Sequence, residues 1–295
     1  IMQAMLALPD LSIRQLEYLV AIAEQPTWAD AAAHVGVTPS ALSQGLAELE
    51  RRVGVPLFAR EGRRRILHPS ARVVLDHARQ VVALTSDLCR WAERTNSSDE
   101  GILRIGMIDI AAVNYFSEIL QQFRIDHPSL DFHLRVSPSR PLIEALTSGQ
   151  LDLVVCVDPQ NDVPGLVMEP LVTEKLSVYK PGGGQLGPPS EWGPWVLFPE
   201  SSNTRQVISN ALNEKGAPVV VVADSPQPEV LKEMVNLGIG WTVLPNVQAE
   251  SGPRPLKPSM VLGTRNLIAA TRINAAQSPA VVALTELLKQ NRKLG

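Results

Sequence analysis

The sequence predicts an α/β chain: a small helical N-terminal part, one long connecting helix, and a larger part in which strands and helices alternate. Three observations predict it. Residues 27–52 (TWADAAAHVGVTPSALSQGLAELERR) read as two short helices around a tight turn. Residues 70–94 carry side chains at heptad spacing, and from Ile102 onward apolar runs such as LDLVVCV (151–157) alternate with helical patterns. The length, 295 residues, suits about two domains at ~150 residues each.

The start, IMQAMLALPD, lacks the charged opening and the length of a signal peptide and reads as a lead-in. Ser12 caps a first helix over residues 13–24, with Leu16, Leu19, Val20 and Ala23 as its buried stripe and Pro26 as its stop. Thr27 caps a second, alanine-rich helix, and Gly36 permits the turn after it. Thr38 caps a third helix with Pro39 at its first position. Leu42, Leu46, Leu49 and Val53 give that helix one apolar face. Thr38, Ser40, Ser43 and Gln44 lie at its start, largely off that face. A helix–turn–helix reads DNA with such residues, because the N-terminal end of its second helix enters the major groove.

Gly54-Val55-Pro56 ends the third helix, and Leu57 and Phe58 return to the core. Residues 60–67 (REGRRRIL) read as a short β-hairpin with Gly62 near its tip. The net charge of -3 says little alone, but its distribution says more. Residues 51–72 hold seven arginines against one acid, Glu61. Residues 1–96 hold eleven arginines, no lysine and ten acids, a net of +1 that leaves -4 for the remainder. A basic patch on a near-neutral domain is the footprint of phosphate contact, with Arg52, Arg60, Arg63, Arg64 and Arg65 as candidates.

Pro69 opens the long helix. Val74, His77, Val81, Leu84, Leu88 and Trp91 fall at spacings of 3, 4, 3, 4 and 3, a seam that favours two such helices side by side and hence a homodimer through residues 70–94. His77 reads as a tolerated polar residue on that seam. At ~1.5 Å per residue the helix runs roughly 37 Å. The polar stretch TNSSDEG (95–101) is a hinge. Beyond it, strands are expected at 102–108, 132–136 and 151–157, with helices at 113–127 and 141–148. The nearly continuous apolar run at 151–157 suits a parallel sheet covered on both faces.

The blocks QLEYLVAIAE (15–24), AAAHVGVTPSALSQGLAELE (31–50) and GVPLFAR (54–60) together resemble the N-terminal domain of LysR-type transcriptional regulators. LRIG (103–106), LIEALTSGQLDLVV (142–155), EPLVTEKLSV (169–178) and GIGWTVLP (238–245) resemble the family's effector domain. The resemblance spans residues 11 to about 290. It implies a winged helix–turn–helix over 1–68, a dimerising linker helix over 69–96, and a two-lobed effector domain of periplasmic-binding-protein type II fold over 97–295. It implies a wing at the hairpin, whose arginines reach phosphates or the minor groove. Residues 176–179 and a stretch near 262–271 become the crossovers between lobes. The partners implied are double-stranded DNA and a small-molecule effector, with dimers pairing into a homotetramer.

Open α/β sheets bind ligands at the carboxyl ends of strands, where helix N-termini supply N–H donors. Three such points converge in this family: Asp109 and Ile110 after the first strand; Ser137, Ser139 and Arg140 before residues 141–148; and Ser201, Ser202, Asn203 and Thr204, followed by Arg205, after WVLF. Ser225 is a fourth. Many relatives place Ser or Thr where Ile110 stands. Asp109 repels an anionic ligand, whereas Arg140 and Arg205 attract one, so ligand charge is left open here. Gln44, Gly45 and Ala47 occupy positions that often carry basic or amide side chains in relatives, which shifts phosphate contact towards the wing.

No catalytic constellation is found: G-x-S-x-G and H-E-x-x-H are absent. Residues 182–187 fit G-x-G-x-x-G, but Pro188-Pro189 follows in place of a helix, which excludes a dinucleotide fingerprint. Cys89 and Cys156 form no disulfide framework, and neither has a metal-ligand partner at useful spacing. No apolar run approaches the ~20 residues of a membrane span. The expectation is a cytoplasmic regulator, with no catalysis, cofactor or metal. A solute-binding protein is the rival that explains the lobes but not the basic N-terminal part.

Overall fold

The computed structural model describes residues 10–61, 64–96, 101–273, 275 and 278–290. The lead-in 1–9, the hairpin tip Gly62 with Arg63, and hinge residues 97–100 lie outside the described residues. The chain forms two compact units, with the division between Glu93 and Arg94.

The first unit opens with α1 (Ile13–Glu24), α2 (Trp28–His34) and α3 (Pro39–Val53). Each starts on a side-chain cap. Ser12 accepts from the Arg14 amide and completes a capping box with Gln15. Thr27 accepts from the Asp30 amide at 3.1 Å, and Thr38 from the Ala41 amide at 3.2 Å. Gly54 closes α3 at φ +76°, a left-handed conformation suited to glycine. Leu19, Ala31, Leu42, Leu46, Leu49 and Leu57 bury one core among the three helices. A Cβ built on Gly45 would lie 2.8 Å from the Tyr18 ring. Gly45 thus faces α1, and its lack of a side chain serves helix packing. β1 (Phe58–Glu61) and β2 (Arg64–Leu67) pair antiparallel, Arg60 opposite Arg65 and Glu61 opposite Arg64. α4 (Ala71–Asn96) follows.

The second unit has two lobes. In lobe one, β3 (Ile102–Met107) leads into a π-helical turn (Ala111–Tyr115) and α5 (Ser117–Asp126), then β4 (Asp131–Val136), α6 (Ser139–Thr147) and β5 (Leu153–Val157). The single helix expected over 113–127 is therefore broken. Its π turn closes through the Phe116 amide on the Ala111 carbonyl and leaves Phe116 fully buried. α6 begins two residues earlier than Pro141, which sits in the first turn, where a missing N–H costs nothing. β6 (Leu166–Tyr179) crosses to lobe two, where β7 (Trp195–Leu197), α7 (Asn203–Glu214), β8 (Val221–Asp224), α8 (Pro228–Asn236), β9 (Thr242–Pro245) and α9 (Asn246–Ala249) follow. β10 (Met260–Arg272) returns, and α10 (Pro279–Gln290) ends the described chain.

Strands pair in the order β4-β3-β5-β10-β6-β9, with β7-β8 as a separate pair. β3 runs parallel to β4 and β5, whereas β10 is antiparallel to β5 and β6. The sheet is therefore mixed where the run 151–157 suggested a parallel one; β5 is nonetheless buried at every position. Lobe one centres on Leu103, Ile105, Met107, Phe116 and Phe123, and lobe two on Tyr179, Trp195, Ile208, Leu231 and Val243.

Candidate DNA-binding surface and inter-lobe cleft

On the first unit, burial of Leu42, Leu46 and Leu49 turns the opposite side of α3 outward. Thr38, Ser40 and Gln44 are exposed and Ser43 is half-buried. Ser40, Ser43 and Gln44 carry no side-chain hydrogen bond among the described residues, so their donors and acceptors remain open to base edges. Thr38 differs: its oxygen is used by the helix cap, which leaves its O–H to donate.

Arg52 also departs from the expectation. Its Nε lies 2.5 Å from Glu48 Oε1 and its Nη1 2.9 Å from Asp10 Oδ2, so its charge is matched inside the domain. Arg51 joins the same carboxylate. Arg51, then Arg52, hold Glu48 down to about 2. These pairings persist above the ordinary carboxylate range and are lost as pH falls towards 2. Arg60, Arg64 and Arg65 lie on the two strands of the hairpin, and Arg63 lies outside the described residues.

In the second unit, β6 and β10 carry the chain between the lobes. Asp109 stands just past the end of β3, and Ser137, Ser139 and Arg140 stand between β4 and the first turn of α6. Residues Ser201, Ser202, Asn203 and Thr204 lead into α7 from lobe two. Among the described residues, two hydrogen bonds join the lobes directly: Asn203 Nδ2 donates to the Val157 carbonyl at 3.1 Å, and Gln248 Nε2 donates to Asp109 Oδ2 at 3.1 Å. Val157 ends β5, so both bonds lie at the carboxyl ends of lobe-one strands. Asp109 and Arg140 are exposed, as is Ser201, while Ser137 and Ser202 are half-buried. Ser202 precedes α7 without using its hydroxyl as a cap.

Four expected ligand groups have structural roles here. Ile110 is buried in the lobe-one core and presents no polar group. Ser139 Oγ accepts from the Val157 amide at 3.2 Å. Ser225 Oγ accepts from the Gln227 amide at 3.1 Å, shaping the turn into α8. Thr204 Oγ1 accepts from Arg265 Nη1 at 2.6 Å. Arg205 is likewise turned into lobe two, donating to the Phe198 carbonyl and Ser209 Oγ.

Sequence reasoning missed the group that holds Thr204. Arg265 Nε pairs with Glu174 Oε2 at 2.6 Å, and the Tyr115 hydroxyl donates to Glu174 Oε1 at 3.2 Å. Burial first, then the Glu174 charge, push the Tyr115 hydroxyl upward, keeping it a donor. The network ties the π turn of lobe one, both crossover strands and the start of α7. Its signal was present: Glu174 and Arg265 are charges inside strand patterns that otherwise bury apolar residues.

Cys156 lies on β5 beneath this region. Burial, then the Asp158 charge, push its thiol up to about 12. The thiolate is the reactive form, so Cys156 is expected to resist Ellman's reagent at pH 7 until the protein is unfolded. Rapid reaction of two thiols in the native protein would contradict this.

Residues 13–72 match the family described as bacterial regulatory helix-turn-helix protein, lysR family, and residues 96–293 match the LysR substrate binding domain. The chain belongs to the LysR family. A probable hydrogen peroxide-inducible genes activator from Streptomyces viridosporus is 30% identical over 250 residues, covering 81% of this chain and 80% of that protein. The structure of full-length OxyR from Pseudomonas aeruginosa, a cysteine variant, superposes with a TM-score of 0.62 at 22% identity, covering 96% and 95% of the two chains. Full-length CbnR complexed with its target DNA gives 0.56 at 18% identity over 95% of this chain and 100% of that one. This LysR-type protein is a DNA-binding transcriptional regulator that responds to a small-molecule effector, and its relatives are regulators, not enzymes. No helix among the described residues is long and apolar enough to cross a membrane.

Proposed function

We propose that this regulator works in the cytoplasm as a symmetric oligomer. The N-terminal half of each α3 lies in a major groove, with one half-site of an inverted repeat for each protomer of a dimer. The observation that carries this reading is the outward face of α3, where Ser40, Ser43 and Gln44 remain open to base edges. Hairpin arginines position the protein through phosphates. CbnR, a structural neighbour, is known in complex with its target DNA, which supports the assignment of partner.

Dimer formation through α4 is supported by the exposure of Val73, Val81, Leu84 and Leu88 along that helix. Pairing of effector domains into a tetramer is supported by two apolar edge strands. β4 exposes Leu134 and Val136, and Val222 on β8 is exposed beside Val220. Bare strand edges of this kind invite pairing. The effector sits in the inter-lobe cleft and biases one quaternary arrangement over another, which requires different affinities for the two.

Peroxide sensing, suggested by the name of the Streptomyces relative, finds no support in Cys156, whose thiol is buried and protonated.

The test is a salt titration of binding to the intergenic DNA beside the regulator's own gene, against random duplex. Discrimination between the duplexes, with affinity falling steeply as salt rises, supports the reading. No discrimination at any salt, with and without candidate effectors, would remove it. Ser43→Ala is expected to reduce discrimination by about 1 kcal/mol, the lower end for a base contact. Equal losses on both duplexes would make Ser43 a phosphate contact or a helix residue only.

A further inference from the structure

We propose that the effector carries a cationic amine, seated between the Asp109 carboxylate and the side-chain oxygen of Gln248. This rests on the reading of the inter-lobe cleft as the effector site.

Asp109 is exposed past the end of β3 and forms no ion pair among the described residues. Asp158 follows the end of β5, which lies parallel to β3 with Met107 opposite Val155, and it too has no cationic partner there. Two carboxylates therefore stand at neighbouring strand ends on one edge of the sheet. The arginines that could oppose them are committed elsewhere. Arg205 points into lobe two, and Arg265 is matched by Glu174. Arg140 alone stays exposed, at the first turn of α6.

Gln248 supplies the second, independent observation. It is 7% exposed, and its Oε1 is buried with no hydrogen-bond partner among the described residues. Its Nε2 already donates to Asp109, which fixes the orientation of the amide: the reverse would set an oxygen against a carboxylate. A bare acceptor is thus left within one amide group of a carboxylate, and that arrangement calls for a donor with positive charge. An ammonium has three N–H donors. One can replace the Gln248 amide on Asp109, and a second can satisfy Gln248 Oε1. A carboxylate or phosphate in the same place would meet two acceptors and be repelled by both. In the present arrangement the Gln248 amide donates to the Asp109 carboxylate, in the position proposed for an ammonium donor, and links the lobes.

Amino acids and carboxylate-free amines share this chemistry. The test uses the full-length protein and thermal melts at fixed ionic strength. The probes are the twenty standard amino acids; putrescine and spermidine; and succinate, benzoate and pyruvate as anions. At least one amine is expected to give saturable stabilisation, with its midpoint concentration raised tenfold or more in Asp109→Asn and in Gln248→Met. Asp109 is exposed, so Asp109→Asn folds even if Gln248→Met does not. A response confined to amino acids and weakened by Arg140→Ala assigns a zwitterion; one shared with putrescine assigns the ammonium alone. An amine response unchanged in both cleft variants overturns the inference. Saturable stabilisation by anions alone overturns it too, while leaving the cleft reading intact. No saturable response to any probe overturns both.

Discussion

Arg265→Ala is expected to destabilise the effector domain by about 3–5 kcal/mol, the usual cost of stripping one partner from a buried ion pair. The Arg265 and Glu174 side chains are 4% and 1% exposed. Removing the guanidinium strands a carboxylate with only the Tyr115 hydroxyl to solvate it, and leaves Thr204 without its donor. The loss is large because the partner stays behind. The double variant Arg265→Met/Glu174→Gln removes both charges and should recover most of the stability, since an apolar replacement of a buried pair is often neutral or better. Urea unfolding followed by tryptophan fluorescence reads this directly, because Trp192, Trp195 and Trp241 all lie in lobe two. A shift below 1 kcal/mol in the single variant would mean that water reaches the pair.

The second large effect lies on the hairpin. Replacing Arg60, Arg64 and Arg65 together by alanine should lower the slope of log affinity against log salt by about 2.7, which is ~0.9 for each lost phosphate contact. The register motivates it. β1 and β2 set Arg60 directly opposite Arg65, and like charges directly opposite are destabilising in a free hairpin. An anionic partner removes that cost. The loss should be equal on operator and random DNA, unlike that of Ser43→Ala. A slope changed by less than about 0.5, against ~0.9 per contact, would remove the hairpin from the interface.

Elements with a local signature were legible in the sequence. Thr27, Thr38 and Gly54 mark helix ends through their own chemistry, and the caps stand where these residues predicted them. The α3 surface follows from the spacing of Leu42, Leu46 and Leu49 alone. What escaped depended on distant partners. The crossover strand was seen only at 176–179, although β6 begins at Leu166; Pro170, inside it, sits at a shift in register with β10 that accommodates a residue without an N–H. In the cleft, serines looked alike in sequence. Whether a hydroxyl is free, as in Ser202, or consumed, as in Ser139 and Thr204, depends on an amide 18 residues away or a guanidinium 61 residues away. Gln248 carried no signal, since its importance arises from facing Asp109 across 139 positions of chain.

The pairing of β6 with β10 has a consequence for how the molecule is made. Val172 pairs with Leu267, and both pack in the lobe-one core, so the segment 173–266 leaves and rejoins lobe one at adjacent points. Lobe two is an insertion, continuous in sequence, whose contacts close within one stretch of chain. Lobe one is the discontinuous partner: β5 waits for β10, which emerges only after the insertion has been synthesised. On the ribosome, the whole of lobe two is synthesised before β10 can complete the lobe-one sheet, and α10 covers that lobe only afterwards.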